Sequence, residues 1–160
     1  MALITKAEII DMSMTNKSTD PYLIKDSFIT RAELDYIQPA LGEDLYNLLL
    51  AGSLTGKNLI LYNSYIKPAM AYFVKYLCLP DMYLNTTSSG LQINNREFSS
   101  SGTAKDRAEL ATSTMNMAVS FLNNGIKYIE HIDNYTYFTT YTTSNETKVN
   151  TRIIGGILFE

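Results

Sequence analysis

Phe28-Ile29-Thr30-Arg31-Ala32-Glu33, running on through Tyr36-Ile37-Gln38-Pro39-Ala40-Leu41-Gly42 to Leu45-Tyr46, packs a series of helix start and stop signals into one short stretch. Thr30 followed three residues later by Glu33 is a capping box, in which each side chain satisfies a backbone N–H of the other, and Ile29 and Leu34 stand at the flanking hydrophobic-staple positions. Ile4-Thr5-Lys6-Ala7-Glu8 repeats the arrangement, with Ile4 and Ile9 as staple. The spacing therefore predicts one cap solution used twice, opening a helix over about 6–15 and another after Thr30. Pro39 cannot donate a backbone hydrogen bond, so the second helix is expected to bend or end there. Gly42 is a plausible stop, and 43–50 reads as a short amphipathic helix.

Outward from this stretch the chain stays helical. Asp20-Pro21 predicts a short helix with Asp as cap and Pro in its first turn. After a loop at 51–57, Leu59, Tyr62, Ile66, Ala69, Met70, Phe73 and Leu77 fall at helical spacing. Ile60, Leu61, Tyr65, Val74 and Tyr76 widen that face until the helix is apolar nearly all round, as a central core helix should be. Pro68 predicts a kink, and Pro80-Asp81 an end or a second bend. Residues 85–103 are rich in Asn, Ser, Thr and Gly and read as a long loop or a loose hairpin; loops of that length are usually functional. A last long helix is expected over about 104–132, with Leu110, Thr114, Ala118, Phe121, Gly125, Ile129 and Ile132 on one face.

Beyond Asp133 the chain becomes β-branched and aromatic. Tyr135, Tyr137 and Tyr141 would share one face of an extended strand, Ser144-Asn145 is a turn signal, and a second extended segment ends in Ile153-Ile154-Gly155-Gly156-Ile157-Leu158-Phe159. Two strands alone are barely stable in water. This arm either folds back on the helices or pairs with another chain. The fold class read from the residues is mainly α: a small helical bundle at 1–133 with a long inter-helix loop, and an extended, β-like C-terminal arm at 134–160. Candidate partner-binding residues are Leu91, Ile93 and Phe98 in the loop. In the arm they are Tyr135, Tyr137, Tyr141, Ile153, Ile154, Ile157, Leu158 and Phe159.

Composition narrows the function. Hydrophobic residues make up 46% of the 160, enough for one real core. Charged residues are 18%, below the usual share of about 25%, and Asn, Ser and Thr supply the polarity instead. Such a surface is easier to desolvate against a partner. A net charge of -3 and a pI near 5.2 argue against a tight nucleic-acid grip. With 12 Tyr and no Trp, interface use of the tail tyrosines is favoured, since Tyr buries area while keeping a polar tip. The first residues lack the basic start and apolar run of a signal peptide. The most apolar region, 59–79, is broken by Asn63, Lys67, Pro68 and Lys75 and reads as a buried helix rather than a membrane span. The sequon-like triplets at Asn16, Asn85, Asn134 and Asn145 are what chance yields in an Asn/Thr-rich chain.

No residue set points to catalysis. Gly52-Ser53-Leu54-Thr55-Gly56-Lys57-Asn58 has three residues between its glycines and Asn after the Lys, whereas a phosphate-binding loop needs four and then Ser or Thr. His131 is the single histidine, which rules out a catalytic triad or a multi-His metal site; it reads as a helix-end stabiliser. Cys78, the single cysteine, reads as a small core residue. Glu43/Asp44 and Asp106/Glu109 sit where helices begin and offset the helix dipole. The methionines read as core filler. The expectation is a non-enzyme with no cofactor and no metal.

The run from Phe28 to Tyr46, with the helical pattern around it, resembles the head–tail connector (adaptor) family of tailed bacteriophages. Its Asn/Thr- and Tyr-rich style is similar to that of neck-ring proteins of crAss-like phages. The resemblance implies a structural virion protein that forms a homo-oligomeric ring of dodecameric type between portal and tail. Such a ring extends the DNA channel and docks neighbouring neck or tail proteins. It implies copies of itself, the portal and other neck proteins as partners, with genomic DNA passing through the lumen without sequence recognition. It also implies that the 85–103 loop and the 134–160 arm clasp neighbours, and that the chain is made in the host cytoplasm and resides in the virion, away from membrane. The alternative is a non-catalytic helical binding or regulatory protein that donates its C-terminal strand to one partner.

Overall fold

The computed structural model describes residues 2–17, 19–87, 90–93 and 104–141. Helix α1 (Lys6–Ser13) starts as the sequence predicts. Thr5 accepts from the Glu8 N–H at 3.3 Å, and the Thr5 N–H donates to the Glu8 carboxylate at 2.9 Å. Ile4 and Ile9 are both buried. A 3-10 turn at Pro21–Leu23 follows, capped by the Asp20 side chain at the Tyr22 N–H, again as expected.

The second capping box is not used. Helix α2 (Asp26–Ala32) has already begun four residues earlier, and Thr30 lies in its interior. Leu34, the expected staple, is half exposed, and Glu33 is buried. A capping box works only where the backbone at Thr is extended; here Asp26 in the first turn and the buried Ile29 start the helix sooner.

Pro39 neither ends nor breaks the helix. Between α2 and α3 (Gln38–Leu41) lies a π-helical segment, Glu33–Ile37, in which the Gln38 N–H reaches back five residues to the Glu33 carbonyl. The same device recurs around Pro68. Helix α5 (Gly56–Leu61) passes through a π segment, Tyr62–Ile66, into α6 (Lys67–Tyr83), and the Lys67 N–H donates to the Tyr62 carbonyl. A proline ring collides with the carbonyl four residues before it in a regular helix. In both places that carbonyl, of Asp35 or of Ser64, lies inside the widened π turn, so the chain absorbs the proline without stopping. Pro80 is likewise carried inside α6, which runs three residues beyond it. Gly42 does stop α3: its φ of 79° and ψ of 157° lie in a region essentially confined to glycine. Helix α4 (Glu43–Leu50) follows.

The continuous α5–α6 rod is the core, paired antiparallel with the long helix α7 (Ala104–Glu130). Tyr65 meets Tyr128 at 5.4 Å between ring centroids, Tyr72 meets Phe121 at 5.8 Å, and Gly125 lies against Tyr65, Leu61 and Ile66. Helices α1, α2 and the first π segment pack on the other side of α6. Phe73, Ile66, Met70, Leu61 and Leu122 are fully enclosed, each contributing on the order of 1.5–3 kcal/mol of burial. Leu59 and Ile60 remain exposed, and Asn63 and Ser64 also face outward, so the expected all-round apolar helix has a solvent-facing side. Among the described residues no helix is long and apolar enough to cross a membrane.

The loose-hairpin reading of the long loop holds for its first part. Strands β1 (Leu84–Thr87) and β2 (Gly90–Ile93) pair antiparallel, with Leu84 opposite Ile93 and Thr87 opposite Gly90. At the C-terminal end, the strand expected from Tyr135 is absent over 135–141: α8 (Ile132–Tyr135) is followed by turns. The Tyr137 and Phe138 N–H groups both return to the Asn134 carbonyl, and Tyr141 closes a further turn on Phe138. Phe138 is buried, in edge contact with Tyr128, so the expected arm as far as Tyr141 belongs to the helical body. The β-like character expected of 142–160 lies outside the described residues.

Candidate interaction surfaces

Two of the expected contact segments fall among the described residues, the hairpin after α6 and the C-terminal turn, and the fold adds a third feature, the polar groups beneath the N-terminal segment. The C-terminal turn is fixed by the first residues of α5. The Lys57 ammonium donates to the Asp133 carbonyl at 2.5 Å and sits 5.7 Å above the Tyr137 ring. Gly56, at φ +55°, lies so close that an added Cβ would stand 3.4 Å from the Tyr137 hydroxyl. The Asn134 side chain donates to the Tyr128 carbonyl, tying the turn to α7. The lysine of the stretch that superficially suggests phosphate binding is thus committed to anchoring the turn after α7. His131 caps α8, its Nδ1 accepting from the Asp133 N–H at 3.4 Å.

Of the expected partner-binding residues, Leu91 and Ile93 lie on β2, at the far end of the α6/α7 pair from the anchored turn. Tyr135 ends α8. Tyr137 is 44% exposed and packs edge-on against Phe138. Tyr141 is half-buried, and its hydroxyl reaches the Glu130 carboxylate at 3.5 Å; burial first, then Glu130, pushes the phenol above its ordinary value. The tyrosines therefore do not form one face of a strand. Phe98, Ile153, Ile154, Ile157, Leu158 and Phe159 lie outside the described residues.

The polar centre that the sequence reading missed is Glu33. Its carboxylate accepts from the Leu3 N–H at 2.6 Å and from the Tyr46 hydroxyl at 3.3 Å, all within the interior. Tyr62, which opens the second π segment, donates to the Leu3 carbonyl. The Lys67 ammonium bridges to Glu8 at 2.5 Å, lowering the Glu8 carboxyl and raising the lysine, chiefly through that hydrogen bond. Burial pushes Tyr46 and Tyr62 upward. Each π segment thus begins with a residue that holds Leu3. One signal in the sequence could have revealed Glu33: it stands four residues from both Ile29 and Ile37, in phase with the buried face.

Among the described residues no cluster of His, Cys, Asp or Glu is arranged to hold a metal ion. The Cys78 thiol, buried between α6 and its neighbours, is pushed up to about 12, which keeps it protonated and unreactive at neutral pH. Every buried side-chain polar atom among the described residues has a partner.

No curated protein and no solved structure matches the chain. Residues 37–151 match the pattern of a family of unknown function, DUF6712. The match starts at Ile37, inside the first π segment, and takes in the α5–α6 rod, the hairpin, α7 and the anchored turn. Because that pattern spans more than half of its length, the chain belongs to the DUF6712 family.

Proposed function

We propose that this protein is a structural subunit that assembles with copies of itself into a ring between the portal and the tail of a tailed phage. In that role it lines the DNA channel and docks neighbouring neck proteins. The observation that carries the reading is the placement of its two candidate contact segments. The C-terminal turn is anchored beside α5, and the hairpin emerges from the opposite end of the helical pair. A subunit with different contact surfaces at its two ends makes heterologous contacts, which close into rings when the rotation allows. A net charge of -3 suits a lumen along which DNA slides without adhering. The resemblance of the Phe28–Tyr46 region to head–tail connectors is what favours a position at the neck.

Quantitative peptide mass spectrometry on purified virions tests the role. A ring's worth of copies relative to the capsid protein is expected. Absence from virions, with the chain abundant in infected cells, overturns the reading in favour of a helical binding or regulatory protein that hands its C-terminal strand to a single partner.

A further inference from the structure

Helix α7 turns one side to α6, where Thr114, Ala118, Leu122, Gly125 and Ile129 are buried. On the opposite side Lys105, Glu109, Lys127 and Glu130 share one face with Thr112, Asn116, Ser120 and Asn123, all within an arc of about 80° at 3.6 residues per turn. All of these are exposed except Asn123, which is half-buried. From Leu110 to Ile126 the helix has no charged residue. A solvated helix face ordinarily carries charge along its length. This face carries it only at the two ends, and its middle is neutral and small. Ala108, Thr112 and Ser113 lie in a shallow depression bordered by Glu109, Asn116 and Met117.

The order of the end charges is cation, anion, then cation, anion: Lys105, Glu109, Lys127, Glu130. That order is complementary to itself when turned end for end. With a two-fold axis at Met117–Ala118, Lys105 stands opposite Glu130 of a second copy and Glu109 opposite Lys127, and both pairs ask for the same register to within one residue. Thr112 then meets Asn123, and Asn116 meets Ser120, side chains short enough for two helices to approach to about 8 Å. A parallel pairing in register sets every charge against its like, and an antiparallel pairing slipped by one turn sets Lys105 against Lys127. Within one copy Lys105 and Glu109 are 3.7 Å apart, with side chains 83% and 66% exposed, a pairing weak enough to be exchanged. Glu130 accepts from the Tyr141 hydroxyl at 3.5 Å.

We propose that the outer face of α7 is a self-recognition surface, on which the α7 of a second copy lies antiparallel. The proposal goes beyond the ring reading and does not rest on it. The contact is isologous, each copy offering the same face to the other, and it uses neither end of the helical pair. The face is about 40 Å long and about 10 Å wide, so it covers about 400 Å² per copy, about half of what a standard stable interface buries on each partner. The contact is therefore weak and reversible. Leu110 and Met117, 41% and 42% exposed, add apolar area along one edge. The end charges set orientation and register more than affinity.

The test uses the full chain, spin-labelled at Asn116→Cys or, separately, at Ala108→Cys; the native Cys78 is buried and takes no label. Dipolar spectroscopy reads the distance between copies, and sedimentation of the unlabelled chain reads the association constant. Antiparallel pairing places the two labels at position 116 under about 20 Å apart and those at position 108 about 30 Å apart. Lys127→Glu, which sets a carboxylate against the partner's Glu109, should weaken association by about tenfold, and adding Glu109→Lys should restore it. Charges that act only within the helix give the opposite order, because the double change leaves Lys105 beside a second lysine and Glu130 beside a second carboxylate. No restoration, short distances at both positions, or a monomer up to about 1 mM overturns the pairing. Rings that form without the short distance at position 116 overturn it and leave the ring reading standing. Dimers with both distances and no larger assembly support the pairing alone.

Discussion

Glu33 is a carboxylate enclosed by the fold, with a backbone N–H and a phenol for partners. Removing it leaves the Leu3 N–H and the Tyr46 hydroxyl buried and unpaired. Glu33→Ala should therefore cost about 3 kcal/mol in urea denaturation, whereas Glu33→Gln, which keeps an acceptor for Leu3, should cost only about 1. Equal losses for the two would show that the hydrogen bonds to Leu3 carry no weight. The Glu8–Lys67 pair makes a pH prediction. A carboxyl held low contributes stability above its unfolded value near 4.5, lost as pH falls through the folded value; an ammonium held high contributes below 10.5, lost as pH rises through its folded value. The pair is thus at full strength between about pH 5 and 10, where solvent screening holds it to about 1 kcal/mol or less. Lys67→Met should lose that increment at pH 7 and show a flatter acid limb in melts run from pH 7 to pH 3. An acid limb unchanged from the parent's would remove the pair from the account.

At the scale of elements, the α6/α7 contact depends on Gly125. An added Cβ would meet the Tyr65 Cβ at 3.0 Å, an atom too close to the backbone to swing aside. Alanine gains about 1 kcal/mol of helix propensity, but overpacking costs about 1–3. Gly125→Ala should be destabilised by about 1 kcal/mol, and Gly125→Leu by about 3 or more, in chemical denaturation; a stabilised alanine variant would mean the helices separate easily. The π segments belong to the same scale. Pro39 and Pro68 are plain in the sequence as obstacles to a helix, yet both helices continue. Local rules identify the obstacle; whether the chain stops or widens by one residue depends on how much apolar surface the continuing helix buries. Ala40 and Leu41 beyond Pro39, and Ala69, Met70 and Phe73 beyond Pro68, favour continuation.

For the whole molecule, the helical body reaches at least to Tyr141, since Phe138 is part of the core and Tyr141 packs against it. A chain ending at Tyr141 should keep its cooperative thermal transition and lose assembly, read by calorimetry and by sedimentation. A chain ending at Asp133 should also lose about 3 kcal/mol with Phe138. Equal stability of the two truncations would place Phe138 outside the cooperative unit.

The sequence by itself determined the helical class, the Thr5–Glu8 cap, the Asp20-Pro21 turn, the Gly42 stop and much of the buried faces of the two long helices, though Leu59 and Leu110, expected on those faces, are exposed, and Met115 and Leu122 are buried instead. Those features follow from spacing and from side chains acting on their own backbone within a few residues. Only the tertiary structure decided that Thr30–Glu33 is not a cap, because the carboxylate is claimed by Leu3, thirty residues away. It also decided that the prolines are absorbed, and that Tyr135 to Tyr141 form helix and turns. Aromatic and β-branched residues favour a strand only until a better apolar partner is within reach. Here Tyr128 takes Phe138, and Lys57, 76 residues away in sequence, takes the Asp133 carbonyl.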